Sequence, residues 1–143
     1  MDMKDKVVLV TGASRGIGAA AARAFADAGA KVALVARSAD QIADLAAEIG
    51  PAAVAIPCDV ASYSDVVAAI ATTEDTFGPL DVFIGNAGLL DPISHLADAD
   101  PAAWGKTIDV NLKGAFNGMR AAMPAMIARG KCTILTISSG AAH

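Results

Sequence analysis

The sequence is poor in positive charge, cysteine, aromatic side chains and long apolar runs, and each shortage removes a class of function. Eleven Lys and Arg stand against fifteen Asp and Glu, a net charge of −4. No basic excess exists to bind nucleic acid or an anionic lipid surface. No stretch approaches the roughly 18 apolar residues of a membrane-spanning helix. The opening MDMKDKVVLV offers four apolar residues in a row, too few for a signal-peptide core. The two cysteines, Cys58 and Cys132, lack C-x-x-C spacing and sit in apolar, strand-like surroundings. They read as reduced core thiols rather than a disulfide or metal site, and a cytoplasmic location is expected. The two histidines, His95 and His143, have no acidic or cysteine partner at ligand spacing, so loop or surface roles and no metal are expected. The single Trp104 reads as a packing residue.

What is present is apolar substance, 55% of 143 residues. A chain of that length folds as one domain and buries roughly 70% of its unfolded surface. Short β-branched runs alternate with helical patterns. Val7–Val10 leads into a helical stretch ending near Ala28, where Gly29 supplies a left-handed stop. Val32–Ala36 is followed by Ser38-Ala39-Asp40-Gln41, a capping-box pattern, and by Ile42, Leu45 and Ile49 on one helical face. Val54–Ile56 leads to Ser62, the cap of a third helix carrying Val66, Val67 and Ile70 as far as Phe77.

Leu80–Ile84 is the fourth strand. Asp100-Pro101 then opens the longest helix, with Ile108, Leu112, Phe116 and Met119 predicted on its buried face and Pro124 predicted to kink or end it. Cys132–Ile137 is the fifth strand. The strands are apolar throughout rather than alternating, so both faces of the sheet must be covered. The expectation is an α/β fold, a doubly wound parallel sheet of the Rossmann type in strand order 3-2-1-4-5. Ligands then belong at the carboxyl edge where the order reverses beside the first strand.

The segment TGASRGIG, Thr11 to Gly18, sits between the first strand and the first helix. Gly12 permits a tight turn, while Gly16 and Gly18 let a ligand and the sheet approach bare backbone. Amide groups at the helix start and the helix dipole favour an anion, and a pyrophosphate fits. A P-loop is excluded because no Gly-Lys-Ser/Thr closes the motif.

These residues resemble the N-terminal part of the short-chain dehydrogenase/reductase family, whose T-G-x-x-x-G-x-G fingerprint they match. Further family motifs follow in order: CDV at Cys58–Val60, NAG at Asn86–Gly88, DVNLKG at Asp109–Gly114 and ISS at Ile137–Ser139. The resemblance covers the whole chain.

It implies a nicotinamide dinucleotide held by Gly12, Ser14, Arg15, Gly16, Ile17 and Gly18, with Asp59 and Val60 beside the adenine and Asn86, Ala87 and Gly88 supporting cofactor and sheet. The residue ending the second strand selects the cofactor, since an acidic residue there binds the ribose hydroxyls of NAD. Here it is Ala36, followed by Arg37. Arg37 and Arg15 suit a 2′-phosphate, and NADP over NAD is expected.

Asn111 falls within an otherwise apolar helical face, where a buried amide needs partners. In the family the corresponding residue interrupts the helix and holds a water. Ser139 aligns with the family's catalytic serine, which hydrogen-bonds the carbonyl or alcohol of a small-molecule substrate. The family also uses a Tyr-x-x-x-Lys pair for proton transfer. The only tyrosine here is Tyr63, and no such motif occurs.

The chain by itself is therefore expected to bind dinucleotide with little turnover, and a non-catalytic dinucleotide module is the alternative. CTILTIS, apolar on both faces, would leave an open sheet edge. Its cover is expected from polypeptide continuing past His143 rather than from another chain. By resemblance a homo-oligomer is expected.

Overall fold

The computed structural model describes residues 2–131 and 133–140. The expectations placed on Cys132 and His143 lie outside the described residues. The elements run β1 (Val7–Thr11), α1 (Gly16–Asp27), β2 (Lys31–Ala36), α2 (Ala39–Ile49), β3 (Ala53–Pro57), α3 (Tyr63–Phe77), β4 (Val82–Gly85), α4 (Pro101–Ile108), a π turn (Asp109–Lys113), α5 (Gly114–Ala128) and β5 (Thr133–Thr136), with a short 3-10 turn at Leu96–Asp98. The five strands are parallel in the order β3-β2-β1-β4-β5. Leu9 of β1 is flanked by Ala33 of β2 and Phe83 of β4.

Alternate residues of each inner strand feed two apolar layers. Val7 and Leu9 join Ala33, Val35, Phe83, Val66, Ile70 and Met126 beneath α3 and α5. Val8 and Val10 join Val32, Leu34, Ala22, Ile42 and Leu45 beneath α1 and α2. Full burial of each Val or Leu stabilises by about 1.5–3 kcal/mol, and both faces contribute. Strands without polar alternation are the consequence.

Several local signals act as expected. Gly29 has φ 94°, the left-handed stop after α1, and the Ser62 hydroxyl accepts from the Asp65 N–H at the start of α3. Others do not. Ser38 precedes α2 but makes no side-chain cap bond, so the capping box does not form. Leu80 lies just before β4 rather than in it, fully buried in the approach to the strand.

The stretch after Asp100 departs most. It is two helices joined by the π turn, and α5 runs through Pro124 to Ala128. Leu112 and Phe116, expected inside, are 65% and 60% exposed, and Ile108 and Met119 are half-buried. The buried side is Val110, Gly114, Asn117, Gly118, Ala122 and Met126. Glycine is required there because a Cβ on Gly118 would lie 2.2 Å from Phe83 Cζ. Close approach selects small residues for the core side, so the large apolar ones mark the outer face. Trp104 is likewise 56% exposed and does not pack into this core.

Candidate functional site

A cleft of about 300 Å³ opens at the carboxyl ends of the strands, between the β1–α1 turn and the segments after β2, β3 and β4. Its walls bring together Gly12, Ser14, Arg15, Arg37, Asp59, Val60, Asn86, Ala87 and Gly88, all singled out from sequence. Distances along the chain of up to 76 residues are thus closed by strand order alone. This is the position where the order reverses, with β1 between β2 and β4.

The turn itself is set by close contact. A Cβ on Gly18 would lie 2.3 Å from the Gly12 carbonyl oxygen, and one on Gly12 would lie 2.8 Å from Ala87 Cα. Gly16 differs: its φ is 57° and nothing stands within 4 Å of where a Cβ would be. The start of α1 follows with no side-chain cap on its first turn. Gly16, Ile17 and Gly18 are therefore helix-start residues beside the cleft rather than cleft lining, and Ile17 is 65% exposed.

Thr11, at the end of β1, holds the floor together. Its hydroxyl donates to the Ile84 carbonyl at 3.3 Å and accepts from the N–H groups of Asn86 and Ala87 at 2.9 and 3.1 Å. Asn86 Nδ2 returns across the strands to the carbonyls of Thr11 and Gly12 at 3.1 and 3.2 Å. Asp59 spends one carboxylate oxygen on the Ala61 N–H at 3.0 Å.

Arg15 and Arg37 are exposed. Among the described residues neither forms an ion pair with a carboxylate. Cys58 also lines the cleft. Burial, then the nearby negative charges of Asp65 and Asp59, push its thiol from 9.0 up to about 11, so it is held protonated at neutral pH.

Asn111 lies in the π turn and is exposed rather than buried, yet paired. Its Oδ1 accepts from the Leu89 N–H and its Nδ2 donates to the Leu89 carbonyl, both at 2.8 Å. It borders the cleft through Leu89 and does not line it. Ser139 lies in the exposed segment after β5. That segment leaves the same carboxyl edge, tied to β4 by the Ile137 N–H donating to the Gly85 carbonyl at 2.9 Å.

Beyond the expected cofactor contacts the lining includes Ala36, named above as the cofactor-selecting position, Cys58 and Val110 from the CDV and DVNLKG motifs, and Ser38, Gln41 and Leu89, which were not assigned to the site from sequence. Ser38 and Gln41 were legible as the start of a helix following the second strand, which places them at the same edge. Leu89 carried no such signal, and Val110 only its place in the DVNLKG motif.

Residues 6–143 match the family model described as short chain dehydrogenase. The chain belongs to the short-chain dehydrogenase family. Among family relatives it is 40% identical over 147 aligned residues to a short chain dehydrogenase of Monascus purpureus, covering 96% of this chain and 50% of the relative. It is 40% identical to a 3-phenylpropionate-dihydrodiol/cinnamic acid-dihydrodiol dehydrogenase of Photorhabdus laumondii, with the same 96% and 50% coverage. To a galactitol 2-dehydrogenase of Agrobacterium fabrum it is 37% identical, over 92% of this chain and 51% of that one. This short-chain dehydrogenase chain thus spans about half the length of the curated relatives it matches.

Among solved structures, the 3-ketoacyl-(acyl-carrier-protein) reductase of Brucella melitensis complexed with NADH superposes with a TM-score of 0.92 at 33% identity, over 96% of this chain and 59% of that one. The five-stranded order is that of the family's Rossmann fold. Among the described residues no helix is long and apolar enough to cross a membrane.

Proposed function

We propose that this chain binds a nicotinamide dinucleotide, NADP in preference to NAD, as the cofactor-binding portion of an oxidoreductase that moves a hydride between nicotinamide and a carbonyl or alcohol substrate. The observation that carries the reading is the cleft at the reversal of strand order, lined by Gly12, Ser14, Arg15, Arg37 and Asp59. The residues fit the group. Open space at Gly16 and the uncapped start of α1 give a pyrophosphate bare backbone and the positive end of a helix dipole. The Brucella reductase, complexed with NADH, supports the same ligand class.

The preference for NADP rests on Ala36 ending β2 where an acidic residue would favour NAD, and on two arginines at the rim. In this reading Gly12, Ser14, Gly16, Ile17 and Gly18 cradle phosphate. Asp59 and Val60 wall the adenine half, and Asn86, Ala87 and Gly88 support the other half.

Bound nicotinamide supplies or accepts the hydride. Ser139 donates its hydroxyl to the substrate oxygen, and Asn111, anchored on the Leu89 backbone, holds the π turn against the cleft. The proton that accompanies hydride needs an acid of tuned pKa. Tyr63, the one tyrosine, opens α3 and does not line the cleft. The 143 residues alone therefore bind without sustaining turnover. The second reading is a non-catalytic dinucleotide module. Self-association is proposed through the outer face of α5, where Phe116, Met123 and Ile127 are exposed.

Titrating NADPH and NADH while following nicotinamide fluorescence, with NADPH oxidation assayed against a carbonyl panel, tests the reading. Tighter NADPH binding without oxidation is expected. NADH binding as tight or tighter overturns the NADP preference, and binding of neither overturns the function.

A further inference from the structure

Asn117 takes no part in the cleft lining, yet its side chain is tied to it. It sits on the buried side of α5, 7% exposed, and donates from Nδ2 to the Val60 carbonyl at 2.9 Å. Val60, also 7% exposed, is a wall of the cleft and a direct neighbour of α5. A Cβ on Gly114 would lie 2.7 Å from Val60 Cγ2.

The segment Cys58–Val60 is therefore held at both ends. On the β2 side the Cys58 N–H donates to the Ala36 carbonyl at 3.0 Å, and on the α5 side Asn117 holds the Val60 carbonyl. Asp59 lies between these anchors. The rest of this helix side is Gly114, Gly118, Ala122 and Met126, where close packing needs no polar group. A buried amide is costly unless paired, and the bond it makes reaches the cleft wall rather than its own helix.

The ribose of a dinucleotide belongs at the end of β2 in a doubly wound sheet. Here β3 is the outer neighbour of β2, so the adenine half faces the segment after β3. We propose that Asn117 is a positioning residue: its bond to the Val60 carbonyl fixes the wall against which the adenine half of the dinucleotide packs. The inference rests on the dinucleotide reading above.

The test measures Kd for NADPH and for adenosine 2′,5′-bisphosphate with the 143-residue chain, at a temperature where circular dichroism shows every variant folded. Asn117→Ala is compared with wild type and with Met126→Ala, a core truncation on the same helix, 0% exposed and outside the cleft lining. Asn117→Ala is expected to weaken both ligands about tenfold, as follows from orphaning a buried carbonyl, while Met126→Ala stays within about twofold of wild type because it touches no residue of that bond and lies two and a half turns, about 13 Å, further along α5.

Wild type that binds neither of these ligands nor NADH refutes the dinucleotide reading; wild type that binds only NADH overturns the NADP preference, and the same variants are then compared by their Kd for NADH. Wild type that binds, with folded Asn117→Ala unchanged or Met126→Ala equally weakened, refutes the positioning role. Should Asn117→Ala not fold, Asn117→Leu keeps the side-chain volume and removes the donor to the Val60 carbonyl. The same selective loss is expected, and unchanged affinity overturns the proposal.

Discussion

Asn86 and Thr11 form a reciprocal clasp across β1 and β4: the Asn86 carboxamide donates to the Thr11 carbonyl at 3.1 Å, and the Thr11 hydroxyl accepts the Asn86 N–H at 2.9 Å. The hydroxyl also accepts from Ala87, so a single oxygen serves two backbone donors. Thr11→Val keeps the volume and orphans both donors. It is expected to cost about 3 kcal/mol, against about 2 kcal/mol for Asn86→Ala. Urea denaturation of the two variants checks the order.

Two glycines of the first turn answer to different constraints. Gly18→Ala drives a methyl into the Gly12 carbonyl, a backbone atom that cannot step aside, and a loss of about 3 kcal/mol in folding stability is expected. Gly16→Ala meets no neighbour and carries only the left-handed strain of φ 57°, about 1 kcal/mol. Its effect is expected instead in dinucleotide affinity. Parallel urea and binding titrations separate the two.

Arg15 and Arg37 are expected to act on the 2′-phosphate alone. Replacing either by Ala removes charge-assisted hydrogen bonds of about 1.5–3 kcal/mol. NADPH affinity should fall roughly tenfold to a hundredfold, with NADH affinity unchanged, since each 1.4 kcal/mol is a factor of ten. Calorimetric titration of both cofactors into each variant provides the measurement, and equal losses for the two would remove the arginines from the phosphate site.

Cys58 carries a pH signature. Its thiol is raised from 9.0 to about 11 by burial first, then by Asp65 and Asp59. A folded-state pKa above the unfolded one favours folding fully below pH 9, and this contribution is lost as pH climbs from 9 to 11. The urea midpoint of wild type should therefore decline more steeply across that window than that of Cys58→Ala. At pH 8 the native thiol should resist iodoacetamide, read by peptide mapping of Cys58, and react once the chain is unfolded.

Strand positions and their order were legible because each strand is a short, largely apolar run containing β-branched residues and the turn residues between them are strong. The π turn was not. Its five residues, Asp109 to Lys113, break the helical period, so extending a 3.6-residue repeat from Ile108 assigned Leu112 and Phe116 to the core. Gly114 and Gly118 gave no hydrophobic signal although they pack most closely, against Val60 and Phe83. Ser38 and Gln41 matched a capping box by spacing, yet only the Ser38 carbonyl takes part, accepting from the Ile42 N–H at 3.2 Å, while its side chain caps nothing.

The sequence by itself determined the parallel sheet, its 3-2-1-4-5 order and the glycine turn after β1, because these follow from short-range propensity and the handedness of crossovers. Only the tertiary structure decided which residues meet at the cleft and what holds them there. Leu89 on Asn111, Val60 on Asn117 and Asn86 on Thr11 are pairings between segments 22, 57 and 75 residues apart. A hydrogen bond of that kind depends on where two backbones come to rest, and no local pattern of residues encodes that distance.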